Sequence, residues 1–409
     1  MGDPRAAASR RAVYLVVLLS VLSSIGHRGS KVLVPLNALQ LGASTAMVGV
    51  LAALYAVFPL LFAVFAGKIS DRCGVRGPIL LGALGMTLGL LAPALRDGLP
   101  VLLLCPTLIG LGHIFLHVSI HNAVGSLGLP ADRARNFSIF SLGASIAAFI
   151  GPALAGVAID TIDYRASYVL LAALSALVAL LVVVFPRIVP SRGEQREQHH
   201  GARALDLLRS APLRRTLLMS GVTLTGIELF LLYMPIYGKS VSLSPTWIGV
   251  VLSAYAAAAF VVRLLMHRLA AHLTEAGVLT ASLFIATTTY ALIPAFNSGT
   301  ALAVLAFALG LGLGSAQPLT IMLTYNHAPQ GRSGEALGLR LTVNKITQIA
   351  VPLAFGAIGS AFGLAPVFWA NAAFLLTGGI TSVRDLVARD GTYRAADVHD
   401  NSRADEKFR

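Results

Sequence analysis

Charge is scarce in this chain. Only 12 % of its 409 residues are Asp, Glu, Lys or Arg, about half of the ~25 % usual in soluble domains. So little charge cannot cover a core of this size with polar surface, which excludes an ordinary water-soluble globule. Cysteine is nearly absent: Cys73 and Cys105 are the only two, too few for a disulfide framework or a thiolate metal site. Acid is scarcer than base, 18 residues against 31, for a net charge of +13. The basic residues punctuate apolar stretches and do not gather into a patch with interleaved aromatics, so no nucleic-acid partner is expected. No Asp–Asp pair and no H-E-x-x-H falls in those stretches, which leaves an intramembrane enzyme as a remote alternative.

Apolar sequence is what the chain has in quantity: 56 % hydrophobic residues and a mean hydropathy of +0.77. A hydrocarbon core ~30 Å thick takes ~20 apolar residues per helix. Twelve stretches qualify, at 12–36, 46–66, 78–95, 100–123, 137–159, 167–186, 216–237, 247–267, 275–295, 299–323, 336–360 and 364–383. The polar segment Met1–Arg11 is followed by an apolar run with no small-residue cleavage signature, so that run reads as the first span and not a signal peptide. The expected fold is an all-α membrane protein with twelve transmembrane helices in two pseudo-symmetric bundles. The N-terminal six-helix bundle is placed at 1–186, a polar cytoplasmic linker at 187–215, the C-terminal bundle at 216–386 and a charged tail at 387–409.

Lys and Arg set the orientation. With the N-terminus inside, 23 of the 31 lie in cytoplasmic segments and three in outer loops (Arg96, Arg165 and Lys239). Five lie within spans: Arg28, Lys31, Arg263, Arg340 and Lys345. Both termini are therefore expected in the cytoplasm, with the chain in the inner (cytoplasmic) membrane.

The two halves repeat at an offset of 200 residues without a gap. Gly26 and Pro35 match Gly226 and Pro235, and Ser44, Gly49, Val50, Tyr55 and Ala56 match Ser244, Gly249, Val250, Tyr255 and Ala256. Gly110-Leu111-Gly112 matches Gly310-Leu311-Gly312, and Pro152 and Gly156 match Pro352 and Gly356. Leu and Ala coincide by chance, but Gly, Pro and Tyr in one register do not. Two parallel repeats place a substrate site at their interface near the bilayer midplane.

After the second span the chain reads Gly67-Lys68-Ile69-Ser70-Asp71-Arg72-Cys73-Gly74-Val75-Arg76. This resembles the G-x-x-x-D-R-x-G-x-R signature of the major facilitator superfamily, at the loop where that family carries it. A gate suits these residues: Gly67 and Gly74 permit a tight turn and close helix approach. Asp71 can accept charge-assisted bonds from a facing helix end, and Arg72 and Arg76 hold the loop inside. In the fifth span, Gly143 and then Gly151-Pro152-Ala153-Leu154-Ala155-Gly156 are similar to the family's antiporter-associated G-P-x-x-G-G motif, with Ala155 replacing a Gly. Small residues at these positions also serve plain helix packing. The family's fourth-helix arginine motif is absent. The resemblance implies the fold and a transport activity without naming the substrate.

Ionisable groups at membrane depth are functional candidates. Glu228 is the one acid deep within a span, and its repeat partner is Arg28. Opposite charges at pseudo-symmetric depths read either as a coupling pair or as a structural tie between the halves. Arg263 and Arg340 lie within about two turns of the cytoplasmic end, near enough to snorkel. Arg340, Asn344 and Gln348 share one helical face with Lys345 beside it, so the eleventh span is expected to line the cavity. His113, His117 and His121 recur at i, i+4 and i+8 on the fourth span, with His27 on the first and Gln317 at the position equivalent to His117. No acid or thiol is at hand to complete a metal site, so these residues read as a polar wall or proton relay, against packing histidines.

The expectation is a monomeric, proton-coupled secondary transporter of small organic molecules that uses no cofactor and leans to efflux by proton antiport. Glu228 and His117 are the expected proton-coupling residues. His27, Arg28, Lys31, His113, Gln317, Asn344, Lys345 and Gln348 are the expected substrate ligands. The excess of embedded base keeps a second reading open: uptake or exchange of a carboxylate-type organic anion.

Overall fold

The computed structural model describes residues 4–127, 132–185, 204–272, 275–329 and 332–383. The charged tail 387–409 and most of the linker lie outside them. Twelve helices are long and apolar enough to cross a membrane, and inside lipid the helix is the form that satisfies every backbone group within one segment. They are α1 (Pro4–Gln40), α2 (Thr45–Cys73), α3 (Arg76–Leu95), α4 (Leu99–Ser126), α5 (Arg133–Ile162), α6 (Tyr164–Val184), α7 (Ala211–Ser240), α8 (Pro245–His272), α9 (Glu275–Leu292), α10a (Gly299–Gly314) with α10b (Ala316–His327), α11 (Ser333–Phe362) and α12 (Leu364–Val383). Most run several residues past the expected apolar limits, because a helix continues into the polar interface at no cost in backbone bonds.

The repeat survives as register. α2 and α8 start at 45 and 245, α4 and α10a at 99 and 299, α5 and α11 at 133 and 333, and α6 and α12 at 164 and 364. Even the caps repeat: the Ser44 hydroxyl accepts the Met47 N–H and that of Ser244 the Trp247 N–H, each at 3.3 Å.

The tenth span holds as one crossing but is interrupted at Ser315, between α10a and α10b. Pro318 has no N–H to give the Gly314 carbonyl four residues back. The Nε of Arg263, on α8, donates to that oxygen at 3.0 Å. Arg263 is therefore engaged by the helix break while the residue as a whole stays exposed.

Successive spans alternate in direction, so one face carries the α6–α7 linker and the opposite face the α1–α2 and α7–α8 turns. Helices α1 to α6 pack mainly on one another, as do α7 to α11, and the two groups meet along α5–α8, α2–α11 and α1–α7. Two of the repeated glycine pairs, Gly49 with Gly249 and Gly156 with Gly356, sit at the α2–α11 and α5–α8 crossings, on the far side from the linker. A Cβ on Gly49 would collide with the Pro352 carbonyl, and one on Gly249 would lie 2.6 Å from the Pro152 carbonyl. Asp160 Oδ2 accepts the Thr246 N–H at 2.7 Å across the α5–α8 seam. On the linker side, a Cβ at Gly67 or Gly338 would meet nothing within 4 Å. On the far face the two halves meet through their backbones, and at Gly67 and Gly338 on the linker side no such contact is made.

Candidate substrate and coupling site

The site is built where α1, α7 and α11 converge. Glu228, just past the middle of α7, has a side chain only 14 % exposed. Its Oε2 lies 3.6 Å from Lys31 Nζ on α1, and its Oε1 accepts the Gln348 amide of α11 at 3.0 Å. Gln348 in turn accepts Lys345 Nζ at 2.9 Å. One carboxylate thus joins three helices drawn from both sequence repeats. Beside it opens a small cleft lined by Lys31, Val34, Tyr55, Glu228, Leu231 and Pro352. Lys31 Nζ stands 5.9 Å from the Tyr55 ring centroid, and Tyr55 donates to Ser30 Oγ at 2.9 Å.

The partner expected for Glu228 from the repeat is Arg28. The structure pairs it with Lys31, three residues further along the same helical face. Arg28 makes no ion pair or hydrogen bond among the described residues, and a Cβ at Gly151 of α5 would lie 2.9 Å from its Cβ. The α11 face expected to line the cavity divides in two. Lys345 and Gln348 reach Glu228. Asn344 is 8 % exposed and accepts the Ser220 hydroxyl of α7 at 3.0 Å. Arg340 is 3 % exposed and does not snorkel: its Nη2 donates to Gln317 Oε1 at 2.6 Å and Thr320 Oγ1 at 2.9 Å on α10b. A guanidinium so placed is too far inside the packing to reach the interface, and neutral oxygens solvate it instead. Gln317 is consequently tied to Arg340, away from Glu228.

The histidines do come together. His27 stacks on His113 with ring centroids 4.0 Å apart, and His113, His117 and His121 follow at 5.2 and 4.2 Å. Among the described residues no group of three His, Cys, Asp or Glu has the geometry to hold a metal ion.

A sequence profile of the Major Facilitator Superfamily matches residues 16–352 and, again, 216–397. The chain belongs to the major facilitator superfamily. As a member it is a secondary transporter built on the superfamily's twelve-helix membrane fold. Solved structures agree in fold: a bacterial homologue of the human lysosomal transporter Spinster, inward-facing and unoccupied, superposes with a TM-score of 0.77 at 15 % identity over 93 % of this chain and 97 % of its own. The nucleoside transporter NupG gives 0.78 at 12 % identity over 91 % and 99 %. A POT family transporter in complex with a thioalcohol-conjugated peptide gives 0.77 at 15 % over 91 % and 95 %. In sequence, a di-/tripeptide transporter of Lactococcus lactis subsp. lactis is 30 % identical over 151 residues, which is 36 % of this chain and 30 % of that protein.

The superfamily's signature at the α2–α3 turn is placed in part. Gly74 takes φ 79°, the left-handed turn expected of it, and Arg76 opens α3. Arg72 is exposed. The Asp71 side chain lies outside the described residues. Gly67 sits within α2 and makes neither a turn nor a close approach in this conformation. The α5 residues are accounted for by packing. A Cβ at Gly143 would lie 2.9 Å from Val17 and Val21 of α1, the Pro152 carbonyl faces Gly249, and Gly156 abuts Pro245 of α8. Sequence reasoning missed Tyr55 and Ser30 as neighbours of the charged node, and Asp160 as a clasp; Tyr55 did stand out as a repeated residue.

Proposed function

We propose that this transporter moves small carboxylate-bearing organic molecules by proton symport, with Lys31 and Lys345 receiving the carboxylate and Glu228 carrying the proton. The observation that carries the reading is the Lys31–Glu228–Gln348–Lys345 chain at the seam of the two halves. Arg28, Lys31 and Lys345 bring three positive charges to this depth and Glu228 only one negative charge. An excess of buried base is stable only with an anion to answer it. While Glu228 is ionised it occupies Lys31. Once protonated it releases Lys31 to a substrate carboxylate, so proton and anion favour each other's binding, which is the linkage symport requires. The likeness to a di-/tripeptide transporter over part of the chain points the same way.

Efflux rested on the α5 motif, whose residues are used up in helix contacts, and the proposal therefore favours uptake. By the inside-positive distribution of Lys and Arg we take the linker face as cytoplasmic in the bacterial inner membrane, so that the face closed in this conformation is the outer one. The two helix groups rock about the node as the protein alternates access. Gly67, Asp71, Arg72, Gly74 and Arg76 then close against the second half when the cytoplasmic side shuts.

The test is transport into proteoliposomes of 5-aminolevulinic acid and of a dipeptide. Glu228→Gln should retain exchange and lose accumulation driven by an imposed pH gradient. Lys345→Gln should weaken either carboxylate-bearing zwitterion by about tenfold to a hundredfold, the worth of one charge-assisted bond, and a carboxamide analogue much less. Gradient-driven accumulation at the wild-type level in Glu228→Gln would refute the proposal.

A further inference from the structure

The four imidazoles form one continuous column. It starts at His27 on α1 and descends α4 through His113 and His117 to His121, with centroid steps of 4.0, 5.2 and 4.2 Å. His121 is part-buried and stands five residues before Ser126, where α4 ends at the linker face. At the inner end His27 meets the Tyr55 ring edge-on at 5.5 Å. Tyr55 adjoins Lys31, which pairs with Glu228. The column therefore runs from near the linker face to Tyr55, whose ring adjoins the lysine paired with Glu228.

Packing alone does not account for it. Buried polar atoms are nearly always satisfied, yet Nδ1 of both His27 and His113 is buried with no hydrogen-bond partner. Phe140 of α5 lies 4.6 Å from His121, and leucine or phenylalanine in the column would fill the same space without that cost. A neutral imidazole carries a donor and an acceptor on opposite edges of its ring. The rings of His113, His117 and His121 are tilted on one another, so one water can bridge their edges. The parallel pair His27–His113 exchanges a proton only through a water at its rim.

We propose that this column is the route by which a proton passes between the linker-face water and Glu228; the inference rests on Glu228 being the coupling carboxylate. In one passage a proton enters His121 at Nε2. Its Nδ1–H, which donates to the His117 carbonyl at 2.9 Å, turns from that oxygen to pass its proton on. Each further ring takes a proton at one nitrogen and hands one on from the other. His27 gives the last one to Glu228 through water beside the Tyr55 hydroxyl. Every ring ends neutral but in its other tautomer, one proton has moved, and each ring turns over to restore its tautomer before the next passage. The charged and polar groups facing the column are Arg28 and Lys31 from α1, Tyr55 from α2 and Lys345 from α11. Among the described residues its ring contacts on α5 are Phe137 and Phe140. The three cations repel a proton in transit, and a substrate carboxylate seated among them offsets that repulsion. Substrate arrival therefore opens the route.

The test follows Glu228 directly, by time-resolved infrared spectroscopy of the protein in nanodiscs after a pH jump. The Glu228 carboxyl band is the one that Glu228→Gln removes. His117→Phe keeps a ring in place and removes its nitrogens. It should slow the rise of that band by about a hundredfold, a typical contribution of one proton-transfer group, and His121→Phe should do the same. His117→Ala should be slow and regain speed when imidazole is added to the buffer, which a packing role does not predict. A Glu228 band that rises at the wild-type rate in both Phe variants would overturn the column while leaving the coupling role of Glu228 intact. A wild-type spectrum with no band dependent on Glu228 would overturn both.

Discussion

Gly49 is the position where the structure makes its sharpest demand. A Cβ there would press on the Pro352 carbonyl, with the Pro352 carbonyl carbon and Gly356 Cα each 3.2 Å away. All three are backbone atoms of α11, so no rotamer change relieves the contact and the helices must part. Inserting one methyl group into such packing costs about 1–3 kcal/mol. The cost falls only on the far-face-closed arrangement, because α2 and α11 separate when that face opens. Gly49→Ala should therefore shift the equilibrium toward the far-face-open state by about 5- to 150-fold.

Spin labels at Leu41 and Phe362, which are 41 % and 73 % exposed at the ends of helices from opposite halves, report that distance. The background would replace Cys73 and Cys105. In the parent protein the short distance should dominate, and in Gly49→Ala a longer one should take over. Gly338→Ala, whose Cβ meets nothing within 4 Å, serves as the control and should leave the distribution in place. An unchanged distribution in Gly49→Ala would show that the closed face yields without cost, and the argument from backbone contact would fall.

Two further substitutions probe the same seams. Asp160→Ala removes the acceptor for the Thr246 N–H at the start of α8; the loss of a capping carboxylate is worth about 0.5–2 kcal/mol, so the Leu41–Phe362 distance should lengthen, and the idea fails if it does not. Arg263→Met leaves the Gly314 carbonyl without its donor, whereas Pro318→Ala supplies an N–H in its place. Thermal unfolding should show Arg263→Met destabilised and the double variant restored by about 1 kcal/mol of coupling, and strictly additive effects would refute the link.

The scaffold was legible because backbone contacts leave a mark that side-chain contacts do not. Where two helices touch through their main chains, only Gly or Pro fits, and the repeat places the same contact in both halves. Gly49 on Pro352 in one half is Gly249 on Pro152 in the other, and Gly110 under the Tyr55 carbonyl is Gly310 under that of Tyr255. Residues with no repeat counterpart carried no such mark. The break at Ser315 depends on Pro318, which stands opposite Val118, and nothing in the first half announces it.

The candidate site was legible in its members and not in its pairings, for a reason that lies in helix geometry. Arg28 and Lys31 are three residues apart, so both lie on the α1 face turned to α7, and spacing alone cannot rank them. The repeat favoured Arg28 because it stands opposite Glu228 in sequence, but equal sequence position gives equal depth in each half, not contact between halves. Contact was decided by what lies behind each side chain. Gly151 lets α5 approach so closely that the stem of Arg28 lies against it, whereas Lys31, one turn further on, opens onto the cavity beside Tyr55. A site of this kind needs asymmetry: if both halves carried the same charge at one depth, they would repel across the seam. The pseudo-symmetry that builds the hinges must therefore lapse at the charged node. It does so at Arg28 and Glu228, at His117 and Gln317, and at Lys345, which faces Ser145 in the repeat.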